Sequence, residues 1–422
     1  MNAMPRNGVE VVSFGCRLNL VESEAMRQAA LDAGRDRTII VNTCAVTAES
    51  VRQARQSIRR LAREKPGAQI VVSGCAAETE RAAFAGMPEV EHVLGNAAKT
   101  DPAAWRMLGA GGPAPDIMQT HVATPLAVER IPGHTRAFLA IQNGCDHRCT
   151  FCIIPFGRGP SRSLPPDAVV TQARRLVEAG HNEIVLTGVD LTSWGADLVG
   201  APKLGALVRR LLKDAPKLRR LRLSSLDCIE ADDDLFAALA EEERLMPHLH
   251  LSLQSGDDMI LKRMKRRHTR DDAIKFCSRV RGLRPDIVFG ADLIAGFPTE
   301  TDGMASNTLS FVEECGITHL HVFPYSARDN TPAARMPQVE RYVRQQRAKE
   351  LRRVGEAALA RHLDSQIGRR VEILAEYGGA GRARDFTPVA TPGFMSGEIL
   401  EGIVTEHDGK TLILAPEIRS PA

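Results

Sequence analysis

The sequence predicts an α/β protein with three parts: an N-terminal parallel α/β domain, a central partial (β/α)6 barrel of the TIM type, and a small C-terminal β-barrel. Short apolar β-type runs alternate with helical patterns over roughly the first hundred residues, and the alternation resumes six times between Arg136 and Ser326. The last sixty or so residues change to short strands separated by turns, including Asp408-Gly409. A length of 422 residues also exceeds one ordinary domain.

The alternation assigns each element a range. N-terminal strands are predicted at 9–14, 38–41, 70–73 and 92–94, with helices at 21–33 and 48–64. Barrel strands are predicted at 137–141, 183–186, 218–223, 249–253, 287–291 and 318–322. C-terminal strands are predicted at 371–375, 384–388, 397–404 and 411–414, and could form a small barrel of the kind that often binds RNA.

Composition gives the domain boundaries. Glycine, proline and alanine dominate the segment from Gly109 to Pro115, and Pro125, Pro132 and Gly133 follow it, as is typical of a linker. A charged helical pattern precedes the C-terminal strands. We therefore predict an N-terminal domain, a linker, a barrel core, a linker helix and a C-terminal β-barrel at residues 1–108, 109–133, 134–336, 337–363 and 364–420.

Composition also limits the function classes. The hydrophobic content of 43% and the charged content of 25% are those of a soluble globular protein. No apolar run is long enough to span a membrane, and the N-terminus lacks a secretory pattern, so we expect a cytoplasmic protein without membrane association. Aromatic residues make up only 4% of the chain, which argues against wide stacking platforms for single-stranded nucleic acid.

The tightest cysteine cluster is Cys145, Cys149 and Cys152 in the stretch NGCDHRCTFCIIP. This C-x3-C-x2-C loop would follow the first barrel strand, and it could offer three thiolates to a four-iron cluster and leave one iron open. Nine cysteines in 422 residues are too few for a disulfide framework, and their number is odd. A zinc site would need a fourth ligand, and His147 stands too close to Cys145 in the chain to supply it. A coincidental grouping remains the alternative.

Three further cysteines each follow a predicted N-terminal strand: Cys16 in FGCRLN, Cys44 in NTCAV and Cys75 in SGCAA. Loops after parallel strands open on the same edge of the sheet, so these thiols are expected to converge. The alternative is three separate buried cysteines. The remaining cysteines, Cys228, Cys277 and Cys315, are interpreted as core residues.

An open iron can bind a small ligand through an amine and a carboxylate, and S-adenosylmethionine (SAM) offers both. Polar and glycine-bearing segments on the barrel strands and the loops after them are its predicted contacts, although any one such loop is ordinary. The predicted SAM-binding residues are Phe151, Thr187, Gly188, Asp190, Ser224, Gln254, Arg266, Asp292, Gly296 and Phe323. Asp190, Asp227 and Asp292 could instead act as general bases, an interpretation we rank lower.

Basic residues are concentrated in two places although the formal net charge is only +3. One set recurs at helical spacing and the other follows the fourth barrel strand, and either could be a solvated face. Together with the C-terminal β-barrel, they favour an RNA substrate. The predicted RNA-binding residues are Arg52, Arg55, Arg59, Arg63, Lys262 and Arg263.

Nearly the whole chain resembles the radical-SAM methylthiotransferase family. The segments FGCRLN, NTCAV and SGCAA are similar to the cluster-binding segments of its first domain, and NGCDHRCTFCIIPFGRGPSRS is similar to its radical-SAM signature. Further similar segments are LTGVDLTSWG, LHLSLQSGDDMILKRMKRRHT, ADLIAGFPTET and HVFPYSARDNTPAARM. The C-terminal segment resembles the TRAM domain, an RNA-binding β-barrel.

The resemblance implies two [4Fe-4S] clusters. Cys145, Cys149 and Cys152 would hold the SAM-binding cluster, and Cys16, Cys44 and Cys75 an auxiliary cluster. One SAM would methylate sulfur at the auxiliary site, and a second would yield a 5′-deoxyadenosyl radical that removes hydrogen from the substrate carbon. An electron donor such as a flavodoxin or ferredoxin would be required.

Within the family, the spellings GCRLN, NTCAVTAE and LTGVDLTSWG resemble the branch that acts on tRNA N6-threonylcarbamoyladenosine at position 37, next to the anticodon. The implied product is its 2-methylthio derivative. The rival functions are methylthiolation of a ribosomal protein, by the same chemistry, and an iron–sulfur electron carrier or RNA-binding module without catalysis.

Overall fold

The computed structural model describes residues 8–110 and 115–415, which form two compact units. The first unit comprises the described residues up to Ile131 together with Ala140–Leu164 and Ser326–Ala334. The second comprises Pro132–Leu139, Pro165–Tyr325 and the described residues from Arg335 onward. Residues 111–114 of the predicted linker and 416–420 of the predicted C-terminal barrel lie outside the described residues.

The first unit is built on a parallel sheet with the strand order β1-β2-β3-β4. Its strands and helices, in chain order, are Val9–Ser13 (β1), Arg17–Asp32 (α1), Thr38–Thr43 (β2), Ala48–Glu64 (α2), Gln69–Gly74 (β3), Cys75–Thr79 (α3), Arg81–Ala85 (α4), His92–Val93 (β4) and Pro102–Arg106 (α5). The predicted parallel α/β arrangement is confirmed.

Apolar side chains cover both faces of this sheet, which explains the uninterrupted apolar runs of its strands. Ile39 and Val41 of β2 pack in one buried cluster with Ile58 of α2. Ile40, on the opposite face of the same strand, packs in a second cluster with Met26 of α1. The alternation of side chains along β2 therefore divides the core into two layers and fixes the sheet between them.

The segment that follows contains the predicted barrel strands. Its strands and helices are Ala137–Ala140 (β5), Gln142–Asn143 (β6), Ile154–Arg158 (α6), Arg162–Ser163 (β7), Pro166–Glu178 (α7), Glu183–Thr187 (β8), Leu204–Asp214 (α8), Arg220–Leu223 (β9), Asp233–Glu241 (α9), His248–Gln254 (β10), Asp258–Met264 (α10), Arg270–Leu283 (α11), Val288–Ala295 (β11), Asp302–Glu314 (α12), Ile317–Pro324 (β12) and Arg341–Gln366 (α13).

The six barrel strands form two three-stranded sheets, β5-β8-β9 and β10-β11-β12. A bridge between Leu226, just after β9, and Leu251 of β10 joins them. The Leu226 N–H donates to the His250 carbonyl at 2.8 Å, and the Ser252 N–H donates to the Leu226 carbonyl at 2.9 Å. The strands therefore make the predicted partial barrel, in which isolated bridges rather than a continuous ladder join the two sheets.

The C-terminal strands close a small barrel in the order β13-β14-β15-β17-β16. They are Arg370–Ala375 (β13), Ala380–Ala383 (β14), Pro388–Ala390 (β15), Ile399–His407 (β16) and Leu412–Leu414 (β17). The β-barrel prediction is confirmed, with five strands rather than the four predicted segments.

The predicted strand at 384–388 is wrong, because this segment is mainly the turn between β14 and β15. The Thr387 N–H donates to the Asp385 side chain at 3.0 Å, and Phe386 has a φ of 75°, which is incompatible with a strand. The Phe386 ring stacks on His248 with a centroid distance of 4.9 Å and lies 5.0 Å from the Arg222 guanidinium. Packing against barrel side chains therefore stabilises the turn.

A buried ion cluster lies at the start of the barrel strands. Glu183 has an exposure of 0%, and the Arg222 Nε donates to it at 2.9 Å. Arg220 stands 3.7 Å from the same carboxylate and pairs with Glu372 of β13 at 2.7 Å. Burial would raise the pKa of Glu183, but Arg222, together with Arg136 and Arg220, outweighs burial and lowers that pKa.

We expect Glu183→Gln to lower the free energy of unfolding by about 3–5 kcal/mol at neutral pH, because it leaves buried arginine charge uncompensated. The lowered pKa makes the wild-type contribution complete above the unfolded pKa of about 4.3, and it is lost as the pH falls through the folded value. Urea unfolding followed by circular dichroism measures the change. A matched change in an exposed pair, Asp167→Asn opposite Arg210, should cost under about 1 kcal/mol.

Among the described residues, none of the helices combines the length and the apolar character needed to cross a bilayer.

Candidate metal centres

Cys16, Cys44 and Cys75 lie at the ends of three adjacent parallel strands. Cys16 directly precedes α1, Cys44 directly follows β2, and Cys75 begins α3. Because β1, β2 and β3 are neighbours in register, the three loops meet at one edge of the sheet. The strand order therefore brings the three cysteine loops to the same edge of the sheet, as the sequence pattern predicted.

Two glycines make this convergence possible. Gly15 has a φ of 100°, and a Cβ on it would stand 3.0 Å from the Cys44 sulfur. Gly74 has a φ of 97°, and a Cβ on it would stand 2.4 Å from the Thr43 carbonyl oxygen. Any other residue would clash at both positions, so the cysteine loops approach closely only because these residues are glycine.

Buried amides and hydroxyls hold the loops. The Asn19 amide donates to the carbonyls of Phe14 and Thr43, at 2.8 and 3.2 Å. The Asn42 amide donates to the Asn19 carbonyl at 2.9 Å, and the Thr43 hydroxyl donates to the Ser73 carbonyl at 2.7 Å. The residues between the strand ends and the cysteines are therefore fixed by a continuous polar network.

The environment of these thiols suits a metal. Cys44 and Cys75 are buried, whereas Cys16 is exposed. Burial and the neighbouring Cys75 and Cys16 thiols raise the pKa of Cys44 to about 11, and burial raises the pKa of Cys75 against the opposing charge of Arg158. Thiols of this kind give up their protons when a metal cation binds them.

A buried ionic network adjoins Cys75. The Arg158 guanidinium donates to Cys75 Sγ from Nε at 3.1 Å, and to the two Glu22 carboxylate oxygens at 2.8 and 3.0 Å. The Lys99 ammonium donates to Glu22 at 2.6 Å. Burial would raise the pKa of Glu22, but Arg158 and Lys99 together lower it to about 2. Two cations thus share one carboxylate beside a thiol.

Cys145, Cys149 and Cys152 lie in a loop bracketed by the antiparallel pair β6 and β7. The Cys145 N–H donates to the Gly159 carbonyl at 3.1 Å, and the Cys152 N–H donates to the Cys149 carbonyl at 3.0 Å. All three cysteines are partly exposed. A compact loop with three accessible thiols can hold three irons of one cubane and leave the fourth open to a ligand.

Both cysteine sets lie in the first compact unit, because Ala140–Leu164 groups with the N-terminal sheet. The predicted linker therefore does not place the two sets in separate compact units. Phe151 belongs to the same loop as Cys149 and Cys152. The other predicted SAM-binding residues lie in the second unit.

The predicted SAM-binding residues of the second unit lie in or just after the barrel strands, except Arg266, which follows α10. Ser224 is buried, and its hydroxyl has no hydrogen-bond partner among the described residues. Gln254 ends β10 with a φ of 68°, a left-handed conformation that residues other than glycine seldom adopt. The other positions in or after the strands are Thr187, Gly188, Asp190, Asp292, Gly296 and Phe323.

Several of these residues already have structural partners. The Arg266 guanidinium donates to Asp227 at 2.9 Å and to the Ser252 carbonyl at 2.7 Å. A Cβ on Gly296 would stand 2.3 Å from the Arg344 side chain, so Gly296 lets α13 approach the barrel. These contacts explain why an arginine stands at 266 and a glycine at 296 even when no ligand is considered.

Asp292 lies in a group with two histidines that the sequence reasoning missed. His250 Nε2 lies 2.9 Å from Asp292 Oδ1, and His321 Nδ1 lies 3.3 Å from the same oxygen. Burial would raise the pKa of Asp292, but the hydrogen bonds from both histidines hold that pKa well below its usual range. The alternation of side chains along β10 and β12 is the signal that could have placed these histidines on one face.

The predicted RNA-binding residues differ in availability. Arg59, Arg63 and Lys262 are exposed. Arg52 is exposed but pairs with Glu49. Arg55 is half-buried and pairs with Glu80 at 2.7 Å. The Arg263 guanidinium is partly buried and donates to the Thr299 carbonyl at 3.1 Å.

The remaining cysteines lie in the core, as predicted. Cys228, Cys277 and Cys315 are all buried. The Cys277 and Cys315 thiols form a hydrogen bond, which together with burial raises the pKa of Cys277 far above its usual value. All three thiols are closed to solvent.

Two family models match the chain. The model of the Radical SAM superfamily matches residues 139–312, and the model described as Uncharacterized protein family UPF0004 matches residues 8–95. A threonylcarbamoyladenosine tRNA methylthiotransferase MtaB from Rickettsia prowazekii (strain Madrid E) is 47% identical over 390 residues, covering 92% of this chain and 93% of the relative.

The chain belongs to the radical-SAM methylthiotransferase family.

Other relatives agree. An MtaB from Bacillus subtilis (strain 168) is 35% identical, covering 86% of this chain and 84% of the relative. A tRNA-2-methylthio-N(6)-dimethylallyladenosine synthase from Erythrobacter litoralis (strain HTCC2594) is also 35% identical, covering 87% and 86%. Both align along nearly the full methylthiotransferase.

A solved structure shares the fold of this methylthiotransferase. The radical SAM methyltransferase TsrM from Kitasatospora setae, with tryptophan and a SAM analogue bound, matches with a TM-score of 0.56 and 16% identity, covering 78% of this chain and 75% of that one. At this identity the likeness concerns the fold alone.

As a radical-SAM methylthiotransferase, the protein uses SAM and two [4Fe-4S] clusters. The residues present fit that requirement. Each of two sites offers three thiols, and the chain has nine cysteines, of which the other three are closed core residues. Arg158, Glu22 and Lys99 were missed by the sequence reasoning, although the GRG stretch after Cys152 contains the first of them.

Proposed function

We propose that this enzyme converts N6-threonylcarbamoyladenosine at position 37 of tRNA to its 2-methylthio derivative. The observation that carries the proposal is the 47% identity, over nearly the whole chain, to a threonylcarbamoyladenosine tRNA methylthiotransferase. The paired cysteine sites of the first unit supply what such a reaction needs: one site to cleave SAM and one to provide sulfur.

We assign Cys145, Cys149 and Cys152 to the SAM-binding cluster and Cys16, Cys44 and Cys75 to the auxiliary cluster. The first set is partly exposed in one loop, as a site that must admit SAM requires. The second set lies at the edge of a parallel sheet, with two of its thiols buried. When bound, the SAM-binding cluster supplies the electron for reductive cleavage of SAM, and the auxiliary cluster carries the sulfur to be transferred.

The SAM contacts are proposed in the second unit at the ends of barrel strands. Ser224 supports this assignment most directly, since its buried hydroxyl lacks a partner among the described residues and is therefore ready for a ligand oxygen or nitrogen. Gln254 supports it through its left-handed backbone, because strained conformations persist where a site needs them.

Exposed basic residues are the proposed tRNA contacts. Arg59 and Arg63 of α2 are exposed, as is Lys262 of α10, and such side chains can reach phosphates. Arg55 is less available than Arg59 and Arg63 because it is half-buried and pairs with Glu80. A reducing cytoplasmic compartment with a flavodoxin or ferredoxin as the electron donor fits the chemistry.

Mass spectrometry of tRNA nucleosides tests the substrate. Cells that lack this gene should accumulate N6-threonylcarbamoyladenosine without its 2-methylthio form, and the wild-type gene should restore that form. A Cys16→Ala gene should fail to restore it. Loss of the methylthio group from dimethylallyladenosine instead, with the threonylcarbamoyl nucleoside unaffected, would contradict the proposal and favour the activity of the relative from Erythrobacter.

A further inference from the structure

Arg158 ends α6, and its side chain is directed into the auxiliary cysteine site. Its exposure is 3%, and so is that of Cys75. The Nε–H of its guanidinium donates to Cys75 Sγ at 3.1 Å, while the two terminal nitrogens bond Glu22 and Asn19. A thiolate sulfur beside a buried guanidinium accepts a charge-assisted hydrogen bond, which is stronger than a neutral one.

The turn that contains Arg158 touches both cysteine sets. Gly159, the next residue, accepts a hydrogen bond from the Cys145 N–H at 3.1 Å. Gly157, the preceding residue, lies so near Cys75 that an added Cβ would stand 3.2 Å from the Cys75 carbonyl oxygen. Three consecutive residues therefore connect the loop of one set to a thiol of the other.

Glu22 sets the direction of the Arg158 side chain. Its carboxylate accepts from both Arg158 and Lys99 and has an exposure of 2%. Since one carboxylate balances two cations, one positive charge remains for the neighbouring thiolate. Arg158 is thus held with its Nε toward Cys75 and cannot turn to another partner without breaking a buried ion pair.

We propose that Arg158 is a positioning residue of the auxiliary site: its Nε–H orients the Cys75 sulfur as a ligand and raises the reduction potential of the cluster bound there. Hydrogen bonds to ligand sulfurs favour the reduced, more negative state of an iron–sulfur cluster. The proposal rests on the assignment of Cys75 to the auxiliary cluster made above.

The test uses the full chain with Cys145, Cys149 and Cys152 all changed to alanine, so that only the auxiliary cluster remains. Reconstitution without oxygen should give about four irons per chain, and a further Cys75→Ala change should remove the cubane signature from the Mössbauer spectrum. Absence of a cluster before that change would overturn the assignment and, with it, the proposal.

In that background, the double variant Arg158→Met/Glu22→Gln removes one positive and one negative charge and leaves the net charge unchanged. A redox titration followed by electron paramagnetic resonance should show a more negative potential, with at least a tenfold change in the reduction equilibrium, about 59 mV for one electron. An unchanged potential in a protein that retains its cluster would overturn the role of Arg158 alone.

Helix α1, which contains Glu22, also provides a matched control pair. Arg27→Met/Glu24→Gln removes the Arg27–Glu24 pair of α1, which is part-exposed and contacts none of the six cysteines in the hydrogen bonds described. Its cluster potential should equal that of the background. If the Arg158 double variant fails to fold, Arg158→Lys replaces it, since lysine keeps the charge but has no Nε–H. A potential equal to that of the background would then contradict the proposal.

Discussion

Replacing Cys149 with alanine is expected to abolish the formation of 5′-deoxyadenosine from SAM. Cys149 is the middle thiol of the C-x3-C-x2-C loop, and a cubane held by only two thiolates cannot keep an open iron in place for SAM. Loss of groups that merely support metal ligands costs 10–100-fold, so loss of a ligand should cost more than about 100-fold. Chromatography of the quenched reaction, with dithionite as the reductant, measures the product.

A cysteine outside both sets provides the control for this change. Cys315→Ala removes a buried thiol of the second unit and should leave 5′-deoxyadenosine formation near the wild-type rate. Persistent product in Cys149→Ala would refute the ligand role of Cys149, and equal loss in both variants would point to general damage rather than to the SAM site.

Replacing Cys44 with alanine is expected to separate the two half-reactions. SAM cleavage should continue, because Cys44 lies outside the loop of Cys145, Cys149 and Cys152. Methylthio transfer should fall below detection, since two remaining thiols would not hold the sulfur-donating cluster. Cys44 is buried close to Gly15, and alanine is smaller than cysteine, so alanine fits the space without strain.

The Cys44 experiment counts both products in one reaction with tRNA from a deletion strain. The wild type should give 5′-deoxyadenosine and methylthiolated nucleoside, whereas Cys44→Ala should give the first product only. Methylthiolated nucleoside formed by Cys44→Ala would show that the auxiliary assignment is wrong.

Much of this fold could be predicted because helix caps and the alternation of strands and helices are visible in short stretches of sequence. Helix α2 begins and ends where predicted, since Thr47 caps its first turn by accepting from the Ser50 N–H at 3.1 Å. The cysteines at strand ends were recognisable because a parallel sheet brings such loops together whatever the intervening sequence. The segment at 384–388 misled the prediction because its residue types alternate like a strand, while Phe386 takes a turn conformation that packing stabilises.

The parts that sequence reasoning missed depend on contacts between residues far apart in the chain. Arg158 and Glu22 are 136 residues apart, and Lys99 and Glu22 are 77 apart. A charged residue normally indicates solvent exposure, so three buried charges that satisfy one another give no local signal. Arg55 shows the same limit, because its helical spacing suggested a free basic face but its guanidinium pairs with Glu80, which also pairs with Arg328.

We expect the first compact unit to hold two cubanes, each on its own three cysteines. Iron and acid-labile sulfide analysis of anaerobically reconstituted protein, combined with Mössbauer spectroscopy, tests it most directly. We expect about eight irons per chain in the wild type and about four in each variant that lacks one complete cysteine set. A wild-type protein with four irons, all lost when either set is removed, would contradict the claim.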